Sequence, residues 1–389
     1  MIAVSAVGFS TLGFGDARAY VGTAKALVET GRYPVRVEPF FFRPPAYPVF
    51  LAAVTLGHPE WIVAAKVANS VLGALLAPLL AALSLKLFRR RGVAVATGVA
   101  AALHPAFVMM ATEVQSEPLF LVLLVGSGFL LLAAADRPSS NLALAAGVAL
   151  GLAALTRSTA LVLALFLLVP LADCRYPTRA RRHLAASALV GFAAALLPWT
   201  IRNAIVFREL LPVNDAGGYS FYHGNSVWTS RYYAIRTRPE YDRWLVDFDA
   251  DMRRRMAAVD RDGVFTPGRR SAFFKEMAIG EIRADPAAEA RLIAQKTWQW
   301  LRPYPTPWFW PAAVVVGVGV LYVVLDVLAV VGLATAKRRG VVVFCVGVLA
   351  VTMAAHVALL VVWRYRAPYW DPILILYALP AAATLVRRD

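Results

Sequence analysis

Nine apolar runs with few charges limit what this chain can become. They lie at about 61–88, 92–111, 118–135, 141–155, 159–172, 184–206, 311–334, 341–362 and 372–386. A membrane-spanning helix needs about 20 predominantly apolar residues, and several of these runs reach that length. Only 16% of the 389 residues are charged, against about 25% in soluble domains. A soluble core would have to hide too many uncharged stretches. The expectation is an all-α polytopic membrane protein.

The polar interruptions give the organisation. Asp16 to Pro48 holds an amphipathic helix candidate, Ala17 to Glu29, followed by EPFFFRPPAYP, whose prolines rule out one continuous helix. A stretch of about a hundred residues, Arg208 to Pro307, has helical periodicity, ordinary charge content and many aromatics, and reads as a small soluble helical insertion. The chain thus divides into an N-terminal transmembrane region, 1–207, the insertion, 208–307, and a C-terminal transmembrane region, 308–389. Met1 to Gly15 is apolar but shorter than a span and has no charged leader. It reads as a first span shortened by a truncated or misassigned start.

The basic loops are short: Arg89 to Arg91, Arg175 to Arg182, Lys337 to Arg339, and the tail Arg387-Arg388. If all four are cytoplasmic, the spans alternate without conflict. The 16–48 segment, TEVQSEP, TRS, the insertion and WRYRAPYWD then lie outside. This distribution of basic residues also explains the net charge of +16 without nucleic acid, since no basic patch is interleaved with aromatics. Two cysteines near cytoplasmic loops predict no disulfide, and no His/Cys spacing suggests a metal.

On that topology the unusual polar residues converge on the outer side: Asp16, Glu113, Glu117, Arg157, Arg202, Arg364 and Arg366. Singly, each has an ordinary reading as an interfacial or snorkelling group. Together, with both signs of charge, they suggest a site.

The motifs on that side resemble integral-membrane glycosyltransferases of the family 39 type, a group with the GT-C fold that includes protein O-mannosyltransferases and the aminoarabinose transferases. The resemblance rests on GDARAY with RPPAYPVFLA, TEVQSEPLF, LTRSTALVLAL, PWTIRNAIVFRELLPVNDAGGYSFYHGN, EIRADPAAEARLIAQKTWQWLRPY and WRYRAPYWDPILIL, in order along the chain. It implies a GT-C-like helix bundle with a small extracytoplasmic helical insertion, in the plasma (inner) membrane. It also implies transfer of a sugar from a polyprenyl phosphate to a glycan, lipid or protein acceptor, with inversion. The lipid-linked sugar is then a substrate, and no cofactor is required. One departure is informative. Protein mannosyltransferases have an Asp-Glu pair in the first loop, whereas Asp16 is followed by Ala17, which argues against protein-mannosylation specificity.

The residue types suit the chemistry. A single displacement needs a base for the acceptor hydroxyl, and Asp16 is the candidate, with capping of the next helix as its ordinary alternative. The departing lipid phosphate needs cations, and arginine binds phosphate oxygens bidentately. The expected donor-binding set is Arg18, Arg43, Glu117, Arg157, Arg364 and Arg366. Glu117 could equally serve the helix it opens, and Arg43 could be an interfacial anchor. Arg364 and Arg366 would point the same way if their segment is extended. His58 and His104 read as packing residues, and the aromatics of 40–42 and 303–311 as interface markers.

Two other classes compete. A transporter or flippase of lipid-linked sugars would carry inverted repeats and polar groups near the midplane, and a non-catalytic factor would only bind the lipid carrier. Polar residues gathered on one side favour the enzyme.

Overall fold

The computed structural model describes residues 15–34, 42–55, 61–172, 177–259 and 266–385. The expected first span, Phe40, Phe41, His58, Cys174, Arg175 and the tail Arg387-Arg388 lie outside the described residues.

Helix α1 (Gly15–Thr30) buries Ala17, Tyr20, Val21 and Ala24, spaced i, i+3, i+4, i+7, and exposes Arg18, Lys25 and Glu29. Gly31 closes it in the left-handed region, φ +66°. The apolar face packs on α2 (Ala46–Thr55) through Tyr47, Leu51 and Ala52. Next come α3 (Trp61–Phe88), α4 (Arg91–Leu103) and α5 (Pro105–Ala111). The last two meet at a 55° bend. His104 at the bend is extended because Pro105 disfavours a helical residue before it.

There follow α6 (Glu117–Asp136), α7 (Ser140–Thr156), a 3₁₀ helix (Ser158–Ala172) and α8 (Thr178–Phe207). Helices α7 and α8 touch backbone to backbone. A Cβ on Gly147 would lie 1.8 Å from the Ala188 carbonyl oxygen, and one on Gly191 would lie 2.1 Å from that of Leu144. Small residues at such seams let membrane helices approach closely.

The polar insertion forms α9 (Ala216–Gly224), α10 (Val227–Ala234), α11 (Arg238–Val259), α12 (Pro267–Ala284) and α13 (Pro286–Leu301). It has its own core of Tyr222, Trp228, Phe248, Met252, Phe274 and Ala278. The chain ends with α14 (Ala312–Thr335), α15 (Arg339–Ala358) and α16 (Asp371–Leu385).

All nine apolar runs are helical, but they are not equivalent. Five of these helices, α3, α6, α8, α14 and α15, are long and apolar enough to cross a bilayer, and the bent α4–α5 pair makes a sixth. Helices α7 and α16 are shorter. Val95, Leu103, Val316, Val320 and Val327 are each more than half exposed. Apolar side chains facing outwards in this way suit lipid as the surrounding medium.

The charged residues divide between two ends. Helix α6 begins at Glu117 and ends at Asp136, about 30 Å apart at 1.5 Å per residue. At the Asp136 end, Lys86 lies 2.9 Å and Arg338 3.6 Å from its carboxylate. At the Glu117 end gather the residues described next.

Candidate active site

Three separate segments meet at Asp16. Its Oδ1 accepts from Arg43 Nη2 at 3.0 Å, and its Oδ2 from Arg364 Nη2 at 2.9 Å. Asp16 sits in the first turn of α1, Arg43 in the loop before α2, and Arg364 in the single 3₁₀ turn Trp363–Tyr365 that precedes α16. The Asp16 side chain is 39% exposed, and the two arginines are largely buried. Burial by itself would raise the Asp16 pKa, but Arg43 and then Arg364 outweigh it and hold the carboxyl below the usual range.

A second pair stands beside the first. Glu117 Oε1 lies 2.9 Å from Arg157 Nη1. Glu117 opens α6, and Arg157 follows the last residue of α7. Aromatic rings and one hydroxyl join the pairs. Arg43 lies over the Tyr20 ring, 5.1 Å from its centroid, and Arg157 and Arg364 each lie 5.5 Å from that of Tyr365. Tyr20 donates to Ser116 Oγ at 3.2 Å, and Arg157 donates to the same atom at 3.4 Å. Among the described residues, three guanidiniums thus face two carboxylates.

Five of the expected site residues therefore converge: Asp16, Arg43, Glu117, Arg157 and Arg364. Two do not. Arg18 is exposed on α1, two residues and roughly 200° of helix away from Asp16. Arg366 is 1% exposed and turned into the bundle. Its Nη2 lies 2.9 Å from Asp326 Oδ1 and its Nε 3.6 Å from Asp371 Oδ1. The shared direction expected for Arg364 and Arg366 required an extended segment. The 3₁₀ turn instead separates their side chains by roughly 240°. Around Arg366, Tyr322 donates to Asp371 Oδ2 at 2.6 Å, and His104 Nε2 is 3.7 Å from the same oxygen.

Tyr20, Ser116 and Tyr365 were not singled out by the sequence, although each sits inside a quoted motif. The available signal was helical spacing, since Tyr20 follows Asp16 by four residues. Glu113 pairs with Lys66 at 3.6 Å. Arg202 stacks on Trp199, 4.7 Å from the ring centroid, and donates to the Tyr33 carbonyl at 3.0 Å. Neither contact involves the Asp16 cluster. Among the described residues no group of three or more His, Cys, Asp or Glu side chains is placed to hold a metal.

The insertion fixes both arginine-bearing loops. Asp215 accepts the backbone N–H of Phe42, next to Arg43, at 3.0 Å and is paired with Arg270. Asn225 donates to the Ala358 carbonyl at 2.9 Å, and Tyr233 to that of Val361 at 2.8 Å.

The profile of glycosyltransferase family 87 matches residues 41–241, just over half of the chain. No curated protein matches. Among solved structures, the archaeal oligosaccharyltransferase AglB from Archaeoglobus fulgidus, in complex with an inhibitory peptide and a dolichol-phosphate, superposes with a TM-score of 0.55 at 12% identity. The match covers 97% of this chain and 47% of AglB, so the chain spans about half the length of that relative. ArnT from Cupriavidus metallidurans bound to undecaprenyl phosphate matches with a TM-score of 0.42 at 16% identity, over 99% of this chain and 76% of that one. The bundle is thus of the GT-C type seen in AglB, an integral-membrane architecture.

Proposed function

The chain belongs to glycosyltransferase family 87, and we propose that it moves a sugar from a polyprenyl-phosphate donor to an extracytoplasmic glycan, lipid or protein acceptor, with inversion at the anomeric carbon. The observation that carries this reading is the Asp16 carboxylate held between Arg43 and Arg364. Such a cluster offers a base and a set of phosphate ligands within one site. AglB, whose fold the chain shares, is solved with a dolichol-phosphate.

In this reading the donor phosphate binds Arg43, Arg157 and Arg364, whose guanidinium forks suit the oxygens of a phosphodiester. The phosphate competes with Asp16 for the same guanidiniums. Asp16 is thereby released and its proton affinity rises. The acceptor oxygen then attacks the anomeric carbon, its proton passes to Asp16, and the bond from that carbon to the phosphate oxygen breaks. The lipid phosphate leaves with the extra negative charge, which the arginines stabilise. Glu117 keeps Arg157 oriented. The site lies at a membrane boundary because the lipid tail stays in the bilayer, and the basic-loop pattern puts that boundary outside the cytoplasm.

The test is release of polyprenyl phosphate. The purified full chain, given a polyprenyl-phosphate sugar and an envelope acceptor fraction, is expected to release the free lipid phosphate, and an Asp16→Asn protein is not. Equal release by both would overturn the assignment of Asp16.

A further inference from the structure

A cavity of about 820 Å³ lies among α3, α6, the 3₁₀ helix, α15 and α16; its Tyr369 end abuts the site, since Tyr369 also interacts with Arg157. Its wall is overwhelmingly aliphatic and aromatic. It runs from Pro368 and Tyr369 at one end to Leu87 and Arg338 at the other, and Val343, which lines it, is 71% exposed on the lipid-facing surface. Arg338 is the charged residue among the described lining residues. It shares the Asp136 carboxylate with Lys86, at 3.6 and 2.9 Å. Two cations on one carboxylate leave a positive mouth, and Arg89 to Arg91, Arg137, Lys337 and Arg339 flank these residues in sequence.

We propose that this cavity binds an anionic membrane phospholipid, with its phosphate on Arg338 and Lys86 and an acyl chain between α6 and α15. A cavity with so little polar wall gives water too few partners to hold it, and one that opens to the bilayer fills with hydrocarbon chain. The charge selects the headgroup. Basic pockets between transmembrane helices attract anionic lipids, and a zwitterionic headgroup gains less from a positive mouth. The polarity of the cavity sets the orientation, because its charged end is the one opposite the Asp16 cluster. A donor entering with its phosphate at Asp16 would place its head at the opposite end, beside Tyr369 and Arg157.

The experiment uses the full chain, purified in detergent and delipidated. Phosphatidylglycerol and phosphatidylcholine with identical chains are added in turn, and retained lipid is counted by native mass spectrometry. The wild type is expected to prefer phosphatidylglycerol by about tenfold or more, the yield of one charge-assisted contact. Arg338→Gln should remove most of that preference, and Arg338→Lys should keep part of it. Gly128→Phe should displace both lipids, because Gly128 lines the cavity and a Cβ there meets nothing within 4 Å. Thermal unfolding checks that each variant is folded, and Gly128→Leu replaces the Phe variant if it is not. Equal retention of the two lipids by the wild type would overturn the proposal. So would phosphatidylglycerol binding that survives both the Arg338→Gln and the cavity-filling changes. Displacement of bound phosphatidylglycerol by polyprenyl phosphate with no dependence on Arg338 would also overturn it, and would give the cavity to the donor tail.

Discussion

Asp16 and Arg364 are 348 residues apart in sequence and 2.9 Å apart in space, carboxylate oxygen to guanidinium nitrogen. Their contact joins the first described helix to the turn that precedes the last. It also sets a chemical condition. A carboxylate held by two arginines is a weak proton acceptor. If Asp16 is the base, something must draw those arginines away first, and an incoming phosphate is the natural competitor. In the proposed reaction, base strength is therefore coupled to donor occupancy.

That coupling predicts a split between kinetic constants. The pH dependence of kcat/KM reports the free enzyme, and that of kcat the substrate complex. The acid limb of kcat should lie at higher pH than that of kcat/KM, with Asp16 depressed only in the free enzyme. Asp16→Asn should lower kcat by about 10²–10⁴-fold while donor binding persists. Stability has its own sign. The folded pKa lies below the ordinary value of 3.8, so the ion pairs contribute fully above that value and are lost as pH falls towards the depressed one. Unfolding of wild type against Asp16→Asn should therefore differ by a constant amount across neutral pH and converge only in strong acid. Coincident acid limbs for kcat and kcat/KM would remove the coupling.

The two arginines of the WRYR stretch should behave differently. Arg364→Ala should weaken donor and free polyprenyl phosphate by about 10- to 150-fold, the range for a charge-assisted bond worth roughly 1.5–3 kcal/mol, and Arg364→Lys should restore part of it. Arg366→Ala should act on folding instead. It leaves Asp326 and Asp371 without their buried cation, a loss of about 3–5 kcal/mol when one partner of a buried pair is removed. Thermal unfolding in detergent and binding of free polyprenyl phosphate, measured on both variants, separate the two roles. A folded Arg366→Ala protein with selectively lost phosphate binding would return Arg366 to the site.

The contrast between Arg364 and Arg366 also marks how much the sequence made legible. Apolar runs are one-dimensional signals, so all nine were readable from length and lack of charge, but not that 159–172 would form a 3₁₀ helix or that 92–111 would break at His104. The convergence of Asp16, Glu117, Arg157 and Arg364 followed from the charge bias of the loops, which sorts segments by side. Direction within a side was not readable. Whether residues 363–366 were strand or turn decided where Arg366 pointed, and a four-residue segment carries too little pattern to choose. The partners of Arg366, the half-buried Asp326 and the buried Asp371, were missed for a related reason. Each is a lone acid at or near an apolar run, and its compensating cation comes from elsewhere in the chain.

Orientation is open to a direct test. The basic-loop pattern leads us to expect the insertion outside and residues 175–182, which run into the start of α8, inside. In a protein with Cys174 and Cys345 replaced, a cysteine at Arg243 in α11 should react with an impermeant maleimide on intact cells. One at Arg181 should react only after permeabilisation. The reverse pattern would invert the topology and place the Asp16 cluster in the cytoplasm.

Gly224 supplies the sharpest test of how the insertion serves the site. It ends α9, and a Cβ there would lie 1.3 Å from the Leu359 carbonyl oxygen. The obstacle is backbone, so no rotamer change can relieve it. Gly224→Ala must push α9 away from residues 358–361, which the Asn225 and Tyr233 hydrogen bonds otherwise hold. Arg364 lies three residues beyond Val361, so the displacement should reach the arginine that holds Asp16. A shift of about 1 Å in a positioning group can cost on the order of 10²-fold in rate. The expected result is a fall of that order in kcat/KM, with the insertion still folded because its Tyr222, Trp228 and Phe248 core is untouched. Gly217 is the control, since a Cβ there meets nothing within 4 Å, and Gly217→Ala should leave activity near wild type. Equal activity in the two alanine variants would show that the insertion does not position Arg364.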